Sequence, residues 1–394
     1  MPGDLYLTSQ LLERLNRPTG QATGLPPTLY TSPEFFTEEQ EYLFERSWVF
    51  VAVTDEIREP GTAVPVTVAG KPIVIVRDRL GTVRAFHNVC SHRGALLVTE
   101  RVEGQAWIRC PYHSWAYGLD GALKATPNIG GHGVHSHPDL DVSQHGLRPV
   151  RCETWHQLIF VNLSGQAESL ESVLAPLTDH WPFDYGRLRL GGVGSFEFKA
   201  NWKLVIENFL ESYHLPSIHP GLNSYSKMED HHNIFIGPNA YGQASRNFAP
   251  GAVAASPPVI PGYPAHLTGL GEYPILFPNL MLGAQATEIF AVSCEPVSPA
   301  LTRERFYVFF DEAAMDESYQ EVRNASLNRW FEINGEDIGV VESMQLGRDS
   351  NAWNGGLFAP ELEACVHAFQ RQVVETILKH RGDIQGRWQT ESSR

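Results

Sequence analysis

The sequence predicts an α+β fold in which a compact all-β unit, residues 46–165, is inserted in a larger mixed domain made of residues 1–45 and 166–394. Three observations predict it. From about residue 50 to 165, apolar residues come in short runs rich in Val and Ile, punctuated by turn residues. After 166 the chain passes from strand-like alternation into a helix, as in FEFKANWKLVIENFLESYHL. Two helical patterns then close the chain, near 315–344 and 360–381.

Taken in order, residues 1–33 are rich in Pro, Gly and Thr and read as an extended arm. Thr37 with Gln40 three residues on has the form of a capping box, with Tyr42, Leu43, Phe44 and Trp48 as the apolar side of the helix that follows. VPVTVAGKPIVIVRDRLGTVRAF reads as strands joined by turns at Ala69-Gly70 and Asp78–Gly81, and AWIRC, WAYGL and LIFVNL continue the pattern. Residues 230–275 read as loop-rich. YPILFPNLMLGA, IFAVSCEPVS and RERFYVFF read as strands. No internal repeat or low-complexity tract is present.

A chain of 394 residues is long enough for two domains, and its 42% hydrophobic and 11% aromatic content is that of a packed globular protein. A net charge of −15 argues against a nucleic-acid partner. No apolar run approaches the ~18 residues of a membrane span, and the N-terminus lacks the apolar centre of a secretion signal. Cysteines at 90, 110, 152, 294 and 365 make a poor disulfide framework and suggest reduced thiols. The expectation is a cytoplasmic protein.

Two constellations carry chemistry. CSHRG at 90–94 and CPYHSW at 110–115 supply Cys90, His92, Cys110 and His113 on turns between strands. Two thiolates and two imidazoles can hold zinc, or a [2Fe–2S] cluster in which histidines replace two of the cysteines; the Cys-x-His and Cys-x-x-His spacings suit the cluster better. The second lies in ENFLESYHLPSIHPG, residues 207–221. His214 and His219 can be two imidazoles of a two-His-one-carboxylate iron site. On an unbroken helix they would point about 140° apart, and Pro216 is expected to disturb the helix enough to bring them together. Glu211, three residues before His214, is placed to orient it or to serve as an alternative ligand. The distant carboxylate is sought in NGEDIGVVESMQLGR, where Asp337 sits beside Ile338 and Val341; Glu336 and Glu342 are the alternatives.

The two Cys-His loops resemble those of Rieske proteins, with Ser114 where the usual second loop has Gly. NWKLVIENFLESYH, the following His, and GEDIGVVESMQLGR resemble the catalytic segments of Rieske non-haem iron oxygenase large subunits. The resemblance covers about residues 40–380. It implies a Rieske domain inserted in an α+β catalytic domain, an antiparallel sheet with helices that carry mononuclear Fe(II). It also implies Cys90 and Cys110 on one cluster iron and His92 and His113 on the other. His214, His219 and Asp337 would bind the mononuclear iron, with Glu342, Gln345 and Gly347 as the supporting pattern. Glu211 would link the two centres between subunits of a homotrimer, meeting His113 on one side and His214 on the other. Most of the family has Asp at that position, and Glu marks the branch that oxidises betaine- and carnitine-like amines.

The implied activity is that of a terminal oxygenase using O2 and electrons from NAD(P)H through a separate reductase, directly or by way of a ferredoxin. A small quaternary ammonium compound is the expected substrate, for hydroxylation or N-demethylation. Aromatic ring dioxygenation is the alternative, and electron transfer without catalysis a remote one.

Overall fold

The computed structural model describes residues 6–248, 257–350 and 352–382. The first five residues of the N-terminal arm, and 249–256 of the segment read as loop-rich, lie outside them. The chain divides into two compact units, Phe44–Leu170, and Met1–Leu43 with Glu171–Arg394. Among the described residues, no helix is long and apolar enough to cross a membrane.

The smaller unit contains β1 (Val49–Val53), β2 (Ala63–Val68), β3 (Lys71–Arg77), β4 (Val83–His87), β5 (Trp107–Arg109), β6 (Ala116–Gly118), β7 (Leu123–Ala125), β8 (Pro149–Trp155) and β9 (Leu158–Asn162). A six-stranded sheet runs β1-β9-β8-β4-β3-β2, and β5-β6-β7 form a second. The β2–β3 register places Val68 opposite Lys71, which leaves Ala69 and Gly70 as a two-residue turn. Both have positive φ, 51° and 68°, the geometry of a hairpin turn whose twist matches its strands. The core between the sheets includes Val74, Val76, Phe86, Ile108 and Trp115, and Cys90 and Cys110 are part of it.

The larger unit begins with α1 (Ser9–Leu15), α2 (Thr28–Thr31) and α3 (Pro33–Glu38), the last continuing as a π-helical turn over Glu39–Phe44. This corrects the capping box expected at Thr37. The cap is Ser32, whose hydroxyl accepts from the Glu34 and Phe35 N–H groups, and Pro33 fills the first helical position, where no N–H is needed. After α4 (Leu170–His180) comes a seven-stranded antiparallel sheet of β10 (Leu188–Phe198), β11 (His231–Gly237), β12 (Ala240–Ser245), β13 (Gly271–Leu276), β14 (Leu280–Gln285), β15 (Glu288–Ser298) and β16 (Leu301–Asp311). Its order is β10-β16-β15-β14-β13-β12-β11. Strands β11 and β12 fall where the sequence read as loop. Their Gly, Asn, Gln and Ser residues disguise them, yet every residue of β12 is buried between paired neighbours.

Between β10 and β11 lie α5 (Trp202–Phe209), α6 (Leu215–Ile218) and α7 (Pro220–Asn223); α8 (Gln320–Asp349) and α9 (Ala364–Arg381) follow the sheet. Helix α8 starts later than its sequence pattern suggests, because Asp311 and Asp316 each cap a short 3-10 turn ahead of it. It packs against β10 and α5. Its buried residues Val322, Ser326, Trp330, Val341 and Gln345 fall on one stripe, which Asn334 and Asp337 continue between Trp330 and Val341 at spacings of three or four. Two side chains tie its far end down. Glu342 Oε1 accepts from the Lys199 N–H at 3.0 Å, and Gln345 Oε1 from the Asn201 N–H at 2.9 Å.

No disulfide joins the five cysteines. Burial pushes the Cys152 and Cys365 thiols up to about 12, so neither is a reactive thiolate at neutral pH.

Replacing Gln345 by Met keeps side-chain length and removes the acceptor, leaving the buried Asn201 N–H unpaired. Such a loss costs about 1–3 kcal/mol. A lowered thermal midpoint for this unit is expected, whereas an unchanged midpoint would show that the bond does not hold α8 in place.

Candidate metal centres

The two Cys-His loops of the smaller unit share one backbone scheme. In the first, Cys90 N–H donates to Ala95 O and Gly94 N–H to Cys90 O, both at 2.9 Å. In the second, Cys110 N–H donates to Trp115 O at 2.8 Å and Ser114 N–H to Cys110 O at 3.1 Å. Gly94 (φ 73°) and Ser114 (φ 59°) occupy the same left-handed position. Each cysteine is thereby buried at the base of its loop, 2% exposed, and each histidine projects from the turn. The His92 and His113 rings lie 4.8 Å apart, and His92 stacks on Trp115 at 4.6 Å. Tyr117 Oη sits 3.1 Å from Cys90 Sγ and accepts from the Ser91 N–H. His92 Nδ1 is buried without a hydrogen-bond partner. Burial, and then the neighbouring His113, hold the His92 pKa below its ordinary value.

In the larger unit, α5 ends at Phe209, so Glu211 stands beyond the helix and not on the face it shares with His214 in an unbroken one. Glu211 Oε2 accepts from the Tyr213 and His214 N–H groups and fixes the turn. Pro216 sits in the first turn of α6, where it starts a helix instead of breaking one. His214 and His219 are the two caps of that four-residue helix, and their rings lie 5.0 Å apart. Asp337 arrives from α8. Its Oδ1 is 2.9 Å from His219 Nε2 and 3.6 Å from His214 Nε2. One ligand atom from each of the three lies within 4.8 Å of the others.

The opposite ring nitrogens are also held. Glu211 Oε1 is 2.6 Å from His214 Nδ1, and Glu336 Oε2 is 2.6 Å from His219 Nδ1. Burial disfavours the His219 imidazolium, but the carboxylates of Asp337 and Glu336 outweigh it and raise the pKa. The carboxylates weighed in sequence therefore part company. Asp337 faces both Nε2 atoms, Glu336 takes the far side of one ring, and Glu342 caps backbone at Lys199. A Cβ on Gly347 would meet nothing within 4 Å, so packing assigns that glycine no role.

A pocket opens over His214, His219 and Asp337. Phe209, Tyr273, Phe290, Phe306 and Trp330 wall it, and its lining contains no Lys or Arg among the described residues. His231 lines it as neutral imidazole, since burial lowers its pKa to about 4. Phe306 of β16 and Trp330, Ile333 and Asn334 of α8 are not among the candidate residues read from the sequence. Their spacing in α8 was the available signal.

Residues 47–138 match the Rieske [2Fe-2S] domain family, and residues 185–379 the ring hydroxylating alpha subunit catalytic domain. The chain belongs to the Rieske non-haem iron oxygenases. It is 29% identical to the carnitine monooxygenase oxygenase subunit of Escherichia coli strain K12 over 85% of this chain and 87% of that one. It is 38% identical to the glycine betaine monooxygenase oxygenase subunit of Chromohalobacter salexigens, over 52% of this chain but only 46% of that longer relative. Its fold matches a quaternary ammonium Rieske monooxygenase crystallised with L-carnitine, with a TM-score of 0.76 and 23% identity over 94% of this chain and 99% of that one.

A Rieske oxygenase of this type carries a [2Fe–2S] cluster and a mononuclear iron. The residues present suit both groups. Two buried thiols beside two imidazoles, one with an orphaned nitrogen, are the donor set of a mixed-ligand cluster. Two Nε2 atoms converging on one carboxylate are that of a facial-triad iron.

A serine at the left-handed position of the second loop stores strain of about 1 kcal/mol relative to glycine. Ser114→Gly should therefore raise the thermal midpoint with the visible spectrum of the cluster unchanged. A lower midpoint would mean the Ser114 side chain makes a compensating contact.

Proposed function

We propose that this chain is the terminal oxygenase of a multicomponent system that hydroxylates or N-demethylates a small quaternary ammonium compound. In this reading Cys90 and Cys110 hold one cluster iron, His92 and His113 the other, and His214, His219 and Asp337 hold the mononuclear iron. When bound, the iron supplies O2 activation for attack on a C–H bond, fed with electrons from NAD(P)H through a separate reductase and the cluster. The protein works as a homotrimer, in which Glu211, already on His214 Nδ1, also meets His113 of the partner subunit. Each carboxylate oxygen has a second lone pair for that contact. Five unpaired cysteines favour a cytoplasmic setting.

The observation that carries the substrate class is the pocket wall. Five aromatic rings, the acids Glu211 and Asp337, and no Lys or Arg among the described lining residues suit a cation with an apolar N-methyl surface. Behind the wall, buried Glu304, pushed up to about 8 chiefly by desolvation, accepts from the lining residue Asn334. The carnitine and glycine betaine monooxygenase relatives point the same way. The same aromatic walls would also receive a flat arene, which keeps ring hydroxylation as the second reading.

The test is O2 consumption with a reductase against a panel of carnitine, glycine betaine, choline, aromatic acids and methoxyarenes. Turnover confined to the quaternary amines is the expected result. Turnover confined to the arenes would replace this reading with the second.

A further inference from the structure

His219 is held at both ring nitrogens by consecutive residues of α8. Glu336 Oε2 lies 2.6 Å from Nδ1, and Asp337 Oδ1 lies 2.9 Å from Nε2. His214 repeats the arrangement, with Glu211 Oε1 at 2.6 Å from Nδ1 and Asp337 Oδ1 at 3.6 Å from Nε2. Each imidazole thus has a private carboxylate on Nδ1 and turns Nε2 toward one shared oxygen.

We propose that Glu336 is a positioning residue for His219 and not an iron ligand. It fixes the Nδ1–H tautomer, so that the Nε2 lone pair is free on the side of Asp337. The inference rests on the reading of His214, His219 and Asp337 as the iron site. Three observations carry it. The His219 ring is only 2% exposed, so in the folded chain its Nδ1 is shut off from water and has Glu336 Oε2 as its partner at 2.6 Å. Glu336 Oε2 is on the Nδ1 edge, and the two nitrogens of an imidazole direct their lone pairs to different sides of the ring. An oxygen bonded to Nδ1 therefore cannot share an ion with Nε2. Finally, Glu336 is 39% exposed while Asp337 is 15% exposed, which puts the one on the outer edge of the ring and the other inside the site.

The device also differs in reach from its twin. Glu211 acts on a histidine three residues away, within one turn. Glu336 acts across 117 residues, so it aligns α8 with α6 as well as the ring with the metal. A carboxylate on the outer nitrogen of a metal-bound histidine sets ring orientation and strengthens the donor, and removing such a partner weakens metal binding by roughly 10–100-fold.

The test is the rate at which a ferrous chelator strips mononuclear iron from reconstituted holoprotein, with cluster absorbance followed in the same sample. Glu336→Ala should lose that iron roughly 10–100-fold faster than the unmodified protein, with the cluster spectrum intact. Glu336→Gln keeps an amide oxygen that accepts from Nδ1–H and should recover most of the hold. Equal losses in the Gln and Ala variants would overturn the proposal in favour of a ligand role, and an unchanged rate in Ala would overturn it outright. Absence of any iron beyond the cluster in the unmodified protein is a separate result, which would refute the site reading beneath the inference.

Discussion

Glu342 and Gln345 reach from α8 to the backbone N–H groups of Lys199 and Asn201, and the position of Asp337 follows from those two bonds. The three groups that converge at the site come from segments more than a hundred residues apart. Their meeting depends on the register of α8 against the start of α5. A slip of one residue would rotate Asp337 by about 100° and shift it by about 1.5 Å. Metal–ligand distances tolerate only about 0.2 Å. Asn201 is itself the cap of α5, its side chain accepting from the Lys203 N–H, so the same residue starts one helix and anchors the other.

Around that register the charges are arranged in layers. Asp337 faces the pocket, and Glu211 and Glu336 sit on the outer nitrogens of the two histidines. Three carboxylates beside two imidazoles are a heavy concentration of negative charge for a partly buried site, and a divalent cation is what such a set accommodates. The pocket above continues the theme with aromatic faces and no Lys or Arg among its described lining residues. In the proposed reading, the iron and a cationic substrate draw on one field.

Sequence reading reached the parts of this arrangement that are local. Cys90 with His92, and Cys110 with His113, are close in the chain, and their turns are set by Gly94 and Ser114. His214 and His219 were legible for the same reason, although the helix breaks ahead of both, in the Glu211 turn, and not at Pro216. Asp337 was legible only through a family pattern, because nothing in a helix reveals which acid turns inward. The role of Glu336 depends on the edge of a ring 117 residues away. Strands β11 and β12 were missed because burial by pairing overrides weak β-propensity. The aromatic pocket walls draw on α5, three sheet strands and α8, elements far apart in the sequence.

The central claim is that one chain holds two separate metal centres, and that Asp337 belongs to only one of them. Iron and acid-labile sulfide per chain, measured in the unmodified protein and in Asp337→Ala, test it directly. A Rieske cluster with a mononuclear iron requires about three irons and two sulfides, and the variant should retain about two of each. A third iron retained in Asp337→Ala, or sulfide lost with it, would contradict the account.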